Sequence, residues 1–137
     1  MMFVTAFIGR LHLPTGQLTY CNAGHLPPLL VKDGQCRWFE MKEVNVILGL
    51  DEKYHFTEQS TTIEHGEQII VFTDGVTEAE SAHHQLLGFD HLLELLQAHQ
   101  QPIDDQAIYD VVCRFSAGAE QSDDIAIMNI VWKEVEN

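Results

Sequence analysis

An apolar segment that ends in an aspartate and a glycine limits most strongly what this chain can fold into. Residues 69–72 read Ile-Ile-Val-Phe, a run that favours β structure and predicts a buried strand. Thr73 separates this run from Asp74 and Gly75. The conformational freedom of glycine predicts a sharp turn at Gly75. An ionised carboxylate beside a dry core is costly unless a positive group compensates it, and a divalent cation is the strongest such group. The segment indicates either a metal site or an ordinary Asp-Gly turn.

A second acidic segment stands near the end of the sequence. Asp123 and Asp124 precede the apolar run Ile125–Val131, and together they predict a strand that opens on two carboxylates. Two strand ends that carry carboxylates favour a shared site over two unrelated turns.

The order of apolar runs and turn residues predicts many strands followed by two helices and a closing strand, which is an α+β fold. The predicted strands are Phe3–Leu13, Gln17–Cys21, Leu29–Lys32, Arg37–Glu40, Phe56–Ile63, Gln68–Phe72 and Asp124–Trp132. The first four form two hairpins turned at residues 14–16 and 33–34, and residues 64–66 turn the fifth strand back into the sixth.

The two predicted helices follow the sixth strand. Spaced leucines predict a first helix from Phe89 to about His99. The second has Asp104 as its N-cap, one apolar face, and Gly118 at its end. We interpret these apolar stripes as core, not as a cofactor site.

Composition and charge exclude several classes of function. The chain has 137 residues, enough for one core, and it carries 21 acidic against 7 basic residues for a net charge of -14. Nucleic-acid binding requires a basic surface and is excluded. We expect no membrane segment, no secretion signal and a cytoplasmic location. The cysteines lack paired metal-ligand spacing, so reduced thiols are expected at Cys21, Cys36 and Cys113.

Four short motifs occur together in a specific order: Phe-Val-Thr-Ala-Phe at residues 3–7, Asn-Ala-Gly-His at 22–25, Thr-Asp-Gly-Val-Thr-Glu-Ala at 73–79, and Asp-Asp-Ile at 123–125. Through them nearly the whole chain resembles the metal-dependent PP2C-type protein phosphatases, in the bacterial branch that includes SpoIIE and RsbU. The resemblance implies part of a PP2C-like β-sandwich flanked by helices. Similar domains carry upstream strands and a metal-bridging aspartate, so we expect residues 1–137 to form a single domain that is the C-terminal portion of such a phosphatase domain.

The resemblance also implies a set of site residues. Asp74 and Asp123 would bind metal, with Mn²⁺ or Mg²⁺ as the cation and two ions in the intact domain. Asp124, Gly75, Asn22 and Glu78 would lie in a surrounding shell. For Gly75 a simple turn, and for Glu78 the exposed start of a helix, are the ordinary alternatives.

His25 stands where distant relatives carry an aspartate. It would orient water or the substrate phosphate, or donate a proton to the leaving group, because a histidine populates both protonation states near neutral pH. A histidine that only hydrogen-bonds nearby backbone after a glycine turn is an equal alternative.

By resemblance, the intact protein would hydrolyse phosphoserine or phosphothreonine on a bacterial regulatory protein of the anti-sigma-factor antagonist type, using metal-activated water. An upstream sensor or receiver domain would fit such a signal-transduction role. The rival hypothesis is a PP2C-like regulatory or interaction module without catalysis, and for the isolated chain we expect little activity and an exposed strand edge.

Overall fold

The computed structural model describes residues 3–121 and 123–133. Within these residues the chain forms antiparallel strands, two helices and a closing strand, which confirms the α+β class. The elements are β1 (Ala6–His12), β2 (Gln17–Ala23), β3 (Leu29–Lys32), β4 (Gln35–Trp38), β5 (Gln59–Thr62), β6 (Gln68–Phe72), α1 (Phe89–Gln97), α2 (Asp105–Phe115) and β7 (Ile127–Val131). No helix among the described residues is both long enough and apolar enough to cross a membrane.

The chain divides into two compact units, and each is built from separate stretches of sequence. The first unit comprises Met1–Pro27, Glu40–Gly66 and Trp132–Asn137, and it contains the sheet with strand order β1-β2-β5. The second unit comprises Pro28–Phe39 and Glu67–Val131, and it contains both helices and the sheet with strand order β4-β3-β6-β7.

Both predicted hairpins are present. In the first unit β1 pairs with β2 in a register that runs from Ala6 opposite Ala23 to His12 opposite Gln17. In the second unit β3 pairs with β4, and the turn residues Asp33 and Gly34 both have positive φ, at 50° and 77°. Two successive positive φ values are what a two-residue type I′ hairpin turn needs, because its twist matches that of the strands.

Strand β6 is the central element of the second unit. It lies between β3 and β7, and Ile69, Ile70 and Phe72 are buried. Helix α1 packs against β4 and α2 packs against β7, and the apolar faces of both helices are buried as predicted. A strand with three buried side chains and a paired strand on each side gives the residues that follow Phe72 a fixed starting point.

The connection between β5 and β6 is not the predicted hairpin. Strand β5 pairs with β2, and β6 pairs with β3 and β7, so the two consecutive strands belong to different sheets. The predicted turn at residues 64–66 is present, but a turn signal does not determine which strand becomes the pairing partner. Side-chain burial on each sheet decides that pairing.

Several predicted boundaries are shifted by a few residues. Strand β1 begins at Ala6 and not at Phe3, since Val4 makes only a single bridge to Leu48. The closing strand begins at Ile127, so Asp123 and Asp124 lie in the loop before it.

The helix boundaries are shifted as well. Helix α1 ends at Gln97, two residues before the predicted end at His99. Helix α2 ends at Phe115 with Ser116 as its C-cap, so it stops before the predicted end at Gly118. The predicted N-cap of α2 is confirmed, because the Asp104 carboxylate accepts a hydrogen bond of 2.9 Å from the Ala107 N–H.

Candidate metal centre

The segment after β6 is a tight, hydrogen-bonded turn. The Glu78 N–H donates to the Asp74 carbonyl over 2.7 Å, and the Val76 N–H donates to the Thr73 carbonyl over 3.1 Å. The Thr77 hydroxyl donates to the same Asp74 carbonyl at 3.2 Å. A bond from residue 78 to residue 74 has the spacing of one helical turn, so both side chains emerge on the same side of the turn.

Thr73 joins this turn to the loop that precedes β7. Its hydroxyl donates to the Asp124 carbonyl at 2.9 Å and accepts from the Ala126 N–H at 3.0 Å. The Thr73 N–H donates to the Ala126 carbonyl at 3.0 Å. These bonds extend the pairing of β6 with β7 by one step and hold the loop that contains Asp123 against the turn that contains Asp74.

Gly75 allows this close approach. A Cβ atom at this position would lie 2.5 Å from the Asp124 carbonyl oxygen and 3.2 Å from an Ile125 side-chain carbon. Gly75 is not among the residues with positive φ. The predicted sharp turn is present at residues 74–78, but Gly75 is required there for lack of space and not for a positive φ.

Three carboxylates converge at this point of the second unit. One oxygen from each of Asp74, Glu78 and Asp123 lies within 4.8 Å of the others. The two aspartates that the sequence singled out thus come together in space, as the hypothesis of a shared site requires. Three negative side chains at this separation repel one another, and a cation among them would relieve that repulsion.

The donor set suits a hard divalent cation. Carboxylate oxygens are the ligands that Mg²⁺ and Mn²⁺ prefer, and no histidine or cysteine belongs to the group of described residues that converge here. The residues present therefore fit the cation that the sequence predicted, and their role as ligands stays a prediction.

The physical reason first given for a cation at Asp74 does not apply. All three carboxylates are exposed, so water already solvates Asp74 and no dry core penalises its charge. The convergence of three like charges from two segments, and not burial, is the structural basis for a metal site.

Glu78 contributes more directly to the cluster than expected. No helix begins at this residue; it ends a turn at residues 74–78, so the interpretation as an exposed helix start is wrong. One of its carboxylate oxygens lies within 4.8 Å of an oxygen of each aspartate. The signal in the sequence is the four-residue spacing between Asp74 and Glu78, because side chains at that spacing lie together wherever the chain forms one helical turn.

Asp124 supports the site through its main chain. Its carbonyl accepts from the Thr73 hydroxyl at 2.9 Å, and its N–H donates to an Asp123 carboxylate oxygen at 2.7 Å. Its own carboxylate is exposed and makes no hydrogen bond within the described part of the chain. These bonds are consistent with the supporting role predicted for Asp124, although its main chain and not its carboxylate makes them.

Asn22 and His25 belong to the first unit, where Asn22 is fully buried. Its amide closes a turn, because its Oδ1 accepts from the His25 N–H at 2.7 Å and its Nδ2 donates to the His25 carbonyl at 2.9 Å. The His25 ring has its Nδ1 3.3 Å from the Thr5 hydroxyl. Asn22 thus fixes the backbone of His25, and the catalytic role of His25 stays a prediction.

Comparison with known proteins identifies the family of the chain. The family model for Stage II sporulation protein E (SpoIIE) matches residues 1–133. Protein IcfG of Synechocystis is 35% identical over 98 residues, which are 72% of this chain and 15% of that protein. The phosphoserine phosphatase RsbU of Bacillus subtilis is 29% identical over 98 residues, which are 72% of this chain and 29% of RsbU. The chain thus spans less than a third of either relative.

A solved structure shows the same fold. The phosphatase domain of the cell fate determinant SpoIIE from Bacillus subtilis, presoaked with Mn, superposes with a TM-score of 0.66 at 13% identity. The match covers 97% of this chain and 58% of that one. Because the family model matches almost the entire sequence and the fold agrees, the chain belongs to the SpoIIE family of PP2C-type phosphatases.

Proposed function

We propose that the protein containing this chain is a metal-dependent serine/threonine protein phosphatase and that Asp74 and Asp123 bind its cations. One observation supports this most: carboxylates from two distant segments of a SpoIIE-family chain lie within 4.8 Å of one another. Glu78 is proposed as the third oxygen donor of the same site.

Mn²⁺ or Mg²⁺ is the proposed cation, with two ions in the intact domain. The carboxylate donor set supports this choice, as does the manganese treatment named for the similar SpoIIE domain. When bound, such ions supply Lewis acidity that activates water and offsets charge on a phosphoryl group.

The remaining proposed roles belong to this chain's own side chains. Gly75 leaves space for the Asp124 carbonyl, and the Thr73 hydroxyl bonds that carbonyl, so together they set the separation of the two aspartate-bearing segments. Asn22 holds the backbone of His25. We propose that the His25 ring orients the substrate phosphate or donates a proton to the leaving oxygen.

The proposed substrate is a phosphoserine or phosphothreonine in a bacterial regulatory protein of the anti-sigma-factor antagonist type. The phosphoserine activity named for RsbU supports the chemistry. We further propose that residues 1–137 are the C-terminal portion of a phosphatase domain, in a cytoplasmic protein with an upstream sensor or receiver domain.

A PP2C-like regulatory or interaction module without catalysis is the second candidate. The exposure of all three carboxylates favours it, because exposed acidic groups often occur together without an ion.

Phosphate release from a phosphoserine protein distinguishes the two functions. A chain extended to the full phosphatase domain would be assayed with manganese, with magnesium and with a chelator. We expect metal-dependent release that Asp74→Asn lowers by about 100-fold or more, since even groups outside the ligand shell contribute about 10- to 100-fold. Asp33→Asn is the matched control, because it removes the same charge at a turn residue whose φ of 50° asparagine tolerates.

The phosphatase and the non-catalytic module predict different results in this assay. Release that Asp74→Asn leaves unchanged would refute the proposed metal site. Absence of release under every metal condition, from a folded domain, would favour the non-catalytic module.

A further inference from the structure

A cavity of about 630 Å³ lies along one face of the α1–α2 helix pair in the second unit. That volume is in the range of pockets for small organic ligands, roughly 300–1,000 Å³. His91 and Leu95 line it from α1, and Val111, Arg114 and Phe115 line it from α2. The acidic cluster is built from other segments, and none of its residues lines this cavity.

The polar side chains of the cavity are cationic or neutral. Arg114, His91 and His99 line it, together with glutamines, and no acidic side chain does so among the described residues. The chain as a whole has 21 acidic and only 7 basic residues. A concave site that is lined by an arginine and by no carboxylate therefore differs from the acidic composition of the chain as a whole.

Arg114 has spare hydrogen-bonding capacity. Its Nε donates to the Asp110 carbonyl at 3.2 Å, and within the described residues its two terminal nitrogens have no partner. By contrast, Arg37 in the same unit is paired with Glu67 at 3.0 Å. A guanidinium fork without a partner matches the two oxygens of a carboxylate or phosphate group.

The two histidines add ring nitrogens on the same face. His99 has its Nδ1 3.2 Å from the Gln101 main-chain nitrogen, which leaves Nε2 for a ligand. The His91 ring meets the Phe115 ring edge to face, with centroids 5.4 Å apart. This contact links one polar and one apolar side chain of the cavity lining.

Part of the cavity lining is apolar, and we call this part the floor. Leu95, Val111 and Phe115 supply aliphatic and aromatic surface next to the guanidinium. An inorganic ion would use only the cationic part, whereas a ligand with an apolar body would also cover this floor and gain from burial of its surface.

We propose that this α1–α2 cavity binds a small organic anion, with its carboxylate or phosphate-like group at Arg114 and its apolar body on the Leu95–Phe115 floor. The site is independent of the proposed phosphatase reaction, because no member of the acidic cluster takes part.

Titration of the 137-residue chain, followed by amide NMR shifts, tests the site. The probes are phenylphosphonate, benzoate, the neutral analogue benzamide and inorganic phosphate, all with a chelator present so that no metal site contributes. We expect the two aromatic anions to shift α1 and α2 amides saturably and to bind at least about tenfold more tightly than benzamide or inorganic phosphate, because each lacks one of the two contacts.

Two variants locate the binding. Arg114→Gln should weaken both aromatic anions about tenfold, while Arg10→Gln, the same change on exposed β1, should leave them within about twofold. Phe115→Leu keeps the charge and should weaken phenylphosphonate without affecting inorganic phosphate. Equal binding of benzamide and benzoate, equal binding of the two phosphorus probes, or unaltered affinity in a folded Arg114→Gln variant would each overturn the proposal.

Discussion

Replacement of Gly75 by alanine tests how closely the two acidic segments must approach. The added methyl would lie 2.5 Å from the Asp124 carbonyl oxygen, whereas ordinary contact begins near 3.4 Å, so one segment must move by about 0.9 Å. This oxygen belongs to main chain that Thr73 holds by hydrogen bonds, and it cannot rotate away as a flexible side chain can.

Two opposing terms set the size of the effect. Forcing an extra carbon into a packed site costs about 1–3 kcal/mol. Because Gly75 does not have positive φ, alanine also gains about 0.4–1 kcal/mol by restricting the unfolded chain. The net loss in free energy of unfolding is roughly 1–2 kcal/mol, which corresponds to a fall in Tm of roughly 3–10 °C.

Thermal unfolding and manganese titration measure the two consequences. Since the displaced loop carries Asp123, we expect Mn²⁺ to bind about 10- to 100-fold more weakly to Gly75→Ala, as for other changes around a ligand shell. Gly9→Ala is the matched control: it too lies outside the positive-φ glycines, and its new Cβ would meet chiefly the movable end of Leu18 at 3.0 Å. If Gly75→Ala kept both the Tm and the manganese affinity of the parent chain, the inferred steric constraint would be refuted.

Three further changes have defined outcomes. Thr73→Val removes the hydroxyl that bonds residues 124 and 126, so it should lower the free energy of unfolding by about 1 kcal/mol in chemical denaturation; Thr73→Ser should restore most of it, and equal loss in both variants would contradict the role of the hydroxyl. Asp104→Ala should cost about 1 kcal/mol by loss of the α2 N-cap, and an unchanged denaturation midpoint would argue against that cap. Burial raises the pKa of the Cys36 thiol, whereas Cys113 is exposed, so mass spectrometry after brief iodoacetamide treatment should find Cys113 modified well before Cys36; simultaneous labelling would count against the buried position.

Local signals in the sequence were sufficient for much of the fold. The Asp33-Gly34 pair predicted its hairpin because few residue pairs accept two positive φ values. The α2 cap at Asp104 was predictable because only a short polar side chain reaches back to the N-terminal N–H groups. The pairing partner of β5 was not predictable from local signals, since its pairing with β2 depends on the packing of residues far apart in the chain.

The site was predictable in its chemistry and less so in its geometry. Asp74 and Asp123 were identified from their positions next to apolar runs. Glu78 was underestimated because its place depends on a hydrogen bond to residue 74 that no apolar pattern reveals. The reason for Gly75 also escaped sequence reasoning, because the atom that excludes a side chain belongs to a loop distant in sequence.

The backbone passes between the two compact units four times, after residues 27, 39, 66 and 131. Neither unit is therefore encoded by one uninterrupted stretch, and no single cut in the gene separates one whole unit from the other. A break after residue 66, for example, would leave β3 on one fragment and its partner β6 on the other. Recombination that exchanges contiguous modules would therefore be poorly tolerated inside these boundaries.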